Sequence, residues 1–347
     1  MSDTKLNFCI NSAHEGTLMN GIDWWKTCED AGINMYGISD SPVQRPDLYV
    51  ASTMCALNTS KMRIISCVTN PVSRHPSVTA SCLRALDELA PGRVGMGIAT
   101  GDSALWGVGL KPATVAGLRE YILAVKGLLR GEEVSYKGAN FKSNFPDNYG
   151  PSDVPVYVAC SGPKVLKMAA QVADGLIVTM GFSQEDVQYV RGIIDEACAE
   201  VGRNPDELDI WWNAYVVFAP SVEEAMEMSL GWSMSWISMT TLNGKGIPEE
   251  YKEPLQRMTY DSHDLTAAYG TANRHATIVA RAKEVGLYDW LISRSPRLFG
   301  TPDDINVRLE ELAKQGMNNW MFYITPNDPK KYELVETLSK GVIANFA

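Results

Sequence analysis

VPVYVACSGPKVLKMAAQVADGLIVTM, residues 154–180, carries the pattern that decides the fold. The opening run VPVYVAC is almost continuously apolar, as a strand buried on both faces must be. Ser161-Gly162 then make a turn, and Pro163 stands where a first helical residue belongs. Its fixed φ suits that place, and its missing N–H is not needed there. Helical spacing of apolar residues follows, and GLIVTM (175–180) reads as the next strand. Strand, helix and strand in so short a span make two parallel strands joined by a crossover.

The unit recurs in both directions. Toward the N-terminus, Leu6–Ser12 precedes a helix from about Gly21 to Ala31, and Met35–Ser39 precedes Leu48–Leu57. Arg63–Thr69 precedes Ser77–Leu89, which stops at Pro91-Gly92; RVGMGIAT (93–100) precedes Ala113–Leu129, with Leu118, Ile122, Val125 and Leu129 on one face. Toward the C-terminus, Ser183–Val201 leads to IWWNAYVVFA (210–219), and Pro302–Gln315 leads to NWMFYIT (319–325) and a last helix. Eight such units predict an α/β fold, a (β/α)8 TIM barrel in a single domain over residues 1–347. A doubly wound sheet is the alternative.

Two stretches break the rhythm. Residues 131–153 read as a polar connection with room for a small hairpin. Residues of about 220–298 form a long insertion before the last unit, placed over the barrel mouth because loops that long in a compact domain usually serve function. Its Trp232, Met234, Trp236 and Met239 suit a lid over an apolar substrate, and equally suit packing on the barrel or a subunit interface.

Composition narrows the function. The 347 residues are 45% hydrophobic and 21% charged, ordinary for a globular protein with a sizeable core. A net charge of −10 and a pI near 5.0 argue against nucleic-acid or anionic-membrane partners, which need a basic face. No apolar run is long enough to span a bilayer, and no secretory signal is expected from MSDTKLNFCINSAHEG. Cys9, Cys28, Cys55, Cys67, Cys82, Cys160 and Cys198 are scattered without a CxxC pair, which reads as reduced thiols in a cytoplasmic protein. The four histidines lack metal-ligand spacing, so no metal is expected.

Candidate chemistry gathers where strands end. The turn at Ser161, Gly162 and Pro163 aims free backbone N–H groups and a helix's positive end at the mouth, which suits a phosphate; Lys164 adds charge. An ordinary serine cap is the alternative. SCVTNPVSRHP (66–76) offers small residues against which a flat ring can lie, with His75 either catalytic or a cap on the next helix. Thr100-Gly101-Asp102 opens a glycine-broken loop that is not a dinucleotide fingerprint. Asp40, after the second strand, is either an acid/base or the former of a turn before Pro42.

Taken together, SDSPVQRPDLYV (39–50), VTNPVSRHPSVTAS (68–81), ALDELAPGRVGMGIATGDSAL (85–105), residues 154–177 and FGTPDDINVRLEELAKQGMNNW (299–320) resemble the luciferase-like monooxygenase superfamily. The branch they are most similar to includes the F420-dependent methylenetetrahydromethanopterin reductases. The resemblance implies one isoalloxazine-type cofactor at the C-terminal mouth, with phosphate at Ser161-Gly162-Pro163. It implies a non-proline cis peptide behind the ring at Cys67-Val68. Thr100 and Gly101 would lie on the ribityl side, Met180 and Gly181 at the next strand end, and Asp40 beside the ring. Many members carry an acidic residue followed by histidine after the second strand; here Ser41 follows Asp40, so no histidine acid/base carries over to that place.

The leading expectation is a two-component monooxygenase that takes reduced FMN from a separate flavin reductase and acts on a small organic substrate, as a homo-oligomer. The alternative is a reductase or dehydrogenase exchanging hydride with F420. The acidic chain weighs against F420, whose oligoglutamate tail calls for a basic channel. A non-catalytic flavin-binding paralogue is the third class.

Overall fold

The computed structural model describes residues 4–12, 17–222, 224–225, 247–258, 279–280, 282–294, 297–324 and 330–346. Strands β1 (Asn7–Asn11), β2 (Met35–Ile38), β3 (Arg63–Ser66) and β4 (Val94–Ile98) come first, then the hairpin β5 (Glu133–Tyr136) and β6 (Ala139–Lys142). β7 (Val156–Cys160), β8 (Gly175–Val178), β9 (Asp209–Phe218), β10 (Arg297–Gly300) and β11 (Asn319–Tyr323) complete the set. Parallel pairing runs β1-β2-β3-β4-β7-β8-β9-β11 and returns from β11 to β1, so eight strands close a barrel. The eight runs read from the sequence are these eight strands.

Helices α1 (Leu18–Asp30), α2 (Leu48–Asn58), α3 (Pro76–Leu89), α4 (Ser103–Trp106), α5 (Val115–Arg130), α6 (Phe145–Tyr149), α7 (Pro163–Val172) and α8 (Gln184–Glu200) connect the strands up to β9. Outward strand residues such as Phe8, Ile64, Val158 and Trp320 pack under the helices in one continuous core. Inward residues fill the barrel itself: Cys9, Met35, Ile65, Tyr157, Ile177, Trp211 and Met321. Alternation along each strand sorts the two sets. No helix among the described residues is long and apolar enough to cross a membrane.

Residues 131–153 do contain a hairpin, β5–β6, followed by α6. The sequence reading missed β10 at the edge of the presumed insertion. β10 pairs with Tyr215–Phe218, the half of β9 that continues beyond its pairing with β8 and β11, so this wall stands above the rest of the rim. Helices Glu249–Met258 and Tyr288–Ser293 belong to the insertion, and Tyr251 stacks on Trp290 at 4.6 Å. Trp232, Met234, Trp236 and Met239 lie outside the described residues.

Candidate active site

All eight barrel strands deliver their C-terminal ends to one rim, where buried strand residues give way to half-buried ones. At the end of β3 the Ser66 hydroxyl bridges to β4, donating to the Gly97 carbonyl at 2.8 Å and accepting from its N–H at 3.0 Å. The chain then steps out at Cys67-Val68, whose peptide bond is cis, as the resemblance implied. It rejoins β4 at Thr69, which exchanges backbone hydrogen bonds with Gly97 and Ala99. A Cβ at Gly97 would sit 2.1 Å from the Ser66 carbonyl oxygen, so only glycine allows this approach. The Cys67 sulfur lies 3.5 Å from the Met321 sulfur, and burial pushes its thiol pKa up to about 12. A thiol so held stays neutral and is a poor nucleophile.

Asp40 is buried, its side chain 2% exposed. One carboxylate oxygen accepts from the Thr69 hydroxyl at 2.6 Å and from the Arg74 guanidinium at 2.5 Å. Arg74 reaches on to Asp47 at 2.9 Å and lies over the Tyr49 ring. Asp40 therefore ties the loop after β2 to the loop after β3 through an ion pair, where the sequence offered a local turn or an acid/base. The pairing with Arg74 was not legible, because residues 34 positions apart carry no mutual signal.

His75 is exposed and caps α3, its Nδ1 accepting from the Ser77 N–H at 3.3 Å, and its ring packs on Tyr136 and Phe141 of the hairpin. This is the capping alternative, and it places the ring outside the barrel wall. Thr100 and Gly101 lie half-buried past β4, Gly101 at φ +98°, where a Cβ would meet the Leu105 side chain at 2.4 Å and Asn70 Cβ at 3.3 Å. Met180 is buried in the main core, and a Cβ at Gly181 would meet the Asp186 carboxylate at 2.2 Å and the Arg294 carbonyl at 2.5 Å. Gly181 thus admits the buried Asp186–Arg294 ion pair, which fastens the end of the insertion beside the end of β8.

At the β7–α7 turn Gly162, not Ser161, is the cap residue of the helix, and no side chain caps it. Asp47, His75, Thr114 and Ser183 do cap α2, α3, α5 and α8. Apart from its chain neighbours, no atom of the described residues lies within 4 Å of where a Gly162 Cβ would stand, so the helix end is open to approach. Lys167 is drawn away to Glu200 at 2.5 Å. Two more polar atoms wait at this rim without a partner among the described residues: Asn70 Nδ2, beside Gly101, and Asn213 Oδ1, on β9. Sequence reasoning missed both asparagines; Asn213 was detectable as the one amide within the apolar run IWWNAYVVFA. Open N–H groups at a helix start, a small-walled floor and the orphaned Asn70 amide fit a flat cofactor with a phosphate.

A closed barrel of eight parallel strands with flanking helices defines the class, and the sequence matches the family model described as luciferase-like monooxygenase over residues 6–319; the chain belongs to that family. Among its relatives, the 5,10-methylenetetrahydromethanopterin reductase of Methanolobus tindarius is 26% identical over 97% of this chain and all of its own length. An F420-dependent glucose-6-phosphate dehydrogenase of Beutenbergia cavernae is 31% identical over 56% of this chain and 60% of its own. Among solved structures, the coenzyme F420-dependent tetrahydromethanopterin reductase of Methanopyrus kandleri superposes with a TM-score of 0.73 at 24% identity, covering 99% of this chain and 100% of that one. A long-chain alkane monooxygenase superposes at 0.67 and 15%, covering 98% and 91%. The protein is a luciferase-like oxidoreductase with a TIM-barrel fold.

Proposed function

We propose that this oxidoreductase exchanges hydride between coenzyme F420 and a small organic substrate. The open, uncapped start of α7 carries the cofactor class: Gly162 and the N–H groups after Pro163 bind the phosphate, and Ser161 and Lys164 assist. The choice of F420 draws support from the reductase of M. tindarius, matched along nearly the whole chain, and from the dehydrogenase of B. cavernae. Bound there, the deazaflavin supplies the hydride chemistry. The chain's own residues orient and dry it: Cys67, Val68 and Ala99 form the floor, and Thr100 and Gly101 flank it. The Asp40–Arg74 pair fixes the adjoining loops in a positioning role.

One observation favours the second reading, a monooxygenase using FMN reduced by a separate flavin reductase. An oligoglutamate tail calls for basic surface near the turn, and Lys167 is already paired with Glu200 and Glu196. Titrating purified protein with F420 and with FMN, then assaying anaerobic F420 turnover beside oxygen uptake with reduced FMN, decides between them. F420 binding with anaerobic turnover is expected. FMN binding with oxygen-dependent turnover and no F420 turnover would replace this reading by the second, and no turnover with either would make the chain a binding paralogue.

A further inference from the structure

Residues facing the barrel axis at the rim divide it into unlike halves. At the ends of β2, β3, β4 and β7 they are small: Gly37, Cys67, Ala99 and Ala159. Along β9, β11 and β1 and just past β8 they are Asn213, Tyr323, Asn11 and Thr179, with Tyr215 one step above on the raised part of β9. Period-two alternation from the inner core residues Ile177, Trp211, Met321 and Cys9 fixes that facing.

On the polar half, Asn213 donates through Nδ2 to the Thr179 hydroxyl at 3.2 Å, and its Oδ1 is buried with no partner among the described residues. Thr179 can serve either orientation of the amide, so one amide atom stays unpaired whichever way it is set. Beside it the Tyr215 and Tyr323 rings meet edge to face, centroids 6.1 Å apart. Burial, then the neighbouring Tyr215, raises the pKa of Tyr323, so its phenol remains a neutral donor. An orphaned amide on the same inner face as two tyrosine rings suits a compact molecule with one polar oxygen.

We infer that the β8–β9–β11 side of the mouth is the substrate subsite, taking a small organic molecule by setting its hydroxyl or carbonyl oxygen against Asn213. This rests on the reading that the cofactor ring lies over the small-residue half. A hydrocarbon substrate would leave the Asn213 amide unsatisfied and is disfavoured there.

Three probes of one shape test it: cyclohexanol, cyclohexanone and cyclohexane, followed by ligand-observed NMR on wild type, Asn213→Leu and Asn213→Ser. Wild type is expected to bind the two oxygenated probes. Asn213→Leu is expected to weaken them about tenfold, the worth of one buried hydrogen bond, and to leave cyclohexane unchanged. Asn213→Ser, the smaller change should the leucine variant not fold, is expected to weaken them in the same sense. F420 and FMN affinities should be the same in all three proteins. No binding of cyclohexanol to wild type, equal weakening of all three probes, or a parallel loss of cofactor affinity overturns the inference. The probes are applied with and without cofactor, so failure of wild type to bind either cofactor sinks the preceding proposal and still leaves the probe comparison to judge this one.

Discussion

The two ends of the barrel are made by the same eight strands and treat their polar groups in opposite ways. At the N-terminal end, Asn7 donates to Asn319, Asn319 donates to Asp209 at 3.0 Å, and Tyr157 donates to Asp209 at 2.7 Å. Arg63 donates to both Tyr157 and Asp209, which closes the chain of bonds. A depression of about 530 Å³ opens there, yet, apart from the indole N–H of Trp211 in its wall, these groups already satisfy one another. At the C-terminal end an uncapped helix start, Asn70 and Asn213 are left over. A buried polar group without a partner costs about 1–3 kcal/mol, so such groups persist where a ligand or water completes them. The depression is read as a structural seam, and the end with unmet hydrogen bonds as the candidate site.

That contrast can be broken by substitution. The largest effect is expected from Gly175→Val: a Cβ there would lie 2.4 Å from the Tyr157 ring and 2.5 Å from the Asp209 carbonyl. Unfolding in urea should show a loss of roughly 3 kcal/mol or no folded protein, and a loss below about 1 kcal/mol would mean the sealed end is not tightly filled. Arg74→Met strands the buried Asp40 carboxylate at the other end and should cost roughly 2–3 kcal/mol. Adding Asp40→Asn should recover part of it, and simple additivity in that double-mutant cycle contradicts the pair.

Asp209→Ala should cost about 1–2 kcal/mol, discounted because Arg63 and Asp209 are each about one-third exposed, and leave cofactor affinity untouched. The smallest effect concerns Glu29, beside the depression. Burial alone would raise its pKa, but the N–H groups of Met62, Lys61 and Ser60 prevail, and the carboxyl sits below its usual 4.5. A depressed folded pKa gives stability that is complete above 4.5 and lost as pH falls through the folded value. Glu29→Gln should therefore flatten the acid side of the stability profile by less than about 1 kcal/mol, and an unchanged profile contradicts it.

The barrel was legible because each strand–helix unit announces itself locally: VPVYVAC, a turn, Pro163, then helical spacing. β10 was not, since the short run RLFG pairs only with the raised half of β9, and nothing in four residues signals such a partner. The site was legible at turns, where Gly162 and Pro163 have local conformational meaning, and at Cys67-Val68 through family likeness. It was illegible where chemistry depends on distant pairing. Asp40 could not show its link to Arg74, and Asn213 could not show that Thr179 would satisfy only one of its two amide atoms.

The most direct test of a cofactor site at the C-terminal mouth is the affinity of Gly162→Leu for F420 and FMN, measured by spectral titration beside its melting temperature. Beyond its chain neighbours, nothing among the described residues crowds that position, so the added side chain burdens a ligand that must approach the helix start. The melting temperature should hold, and affinity for the cofactor that wild type binds should fall by about tenfold or more. Unchanged affinity in a folded Gly162→Leu protein would contradict the account.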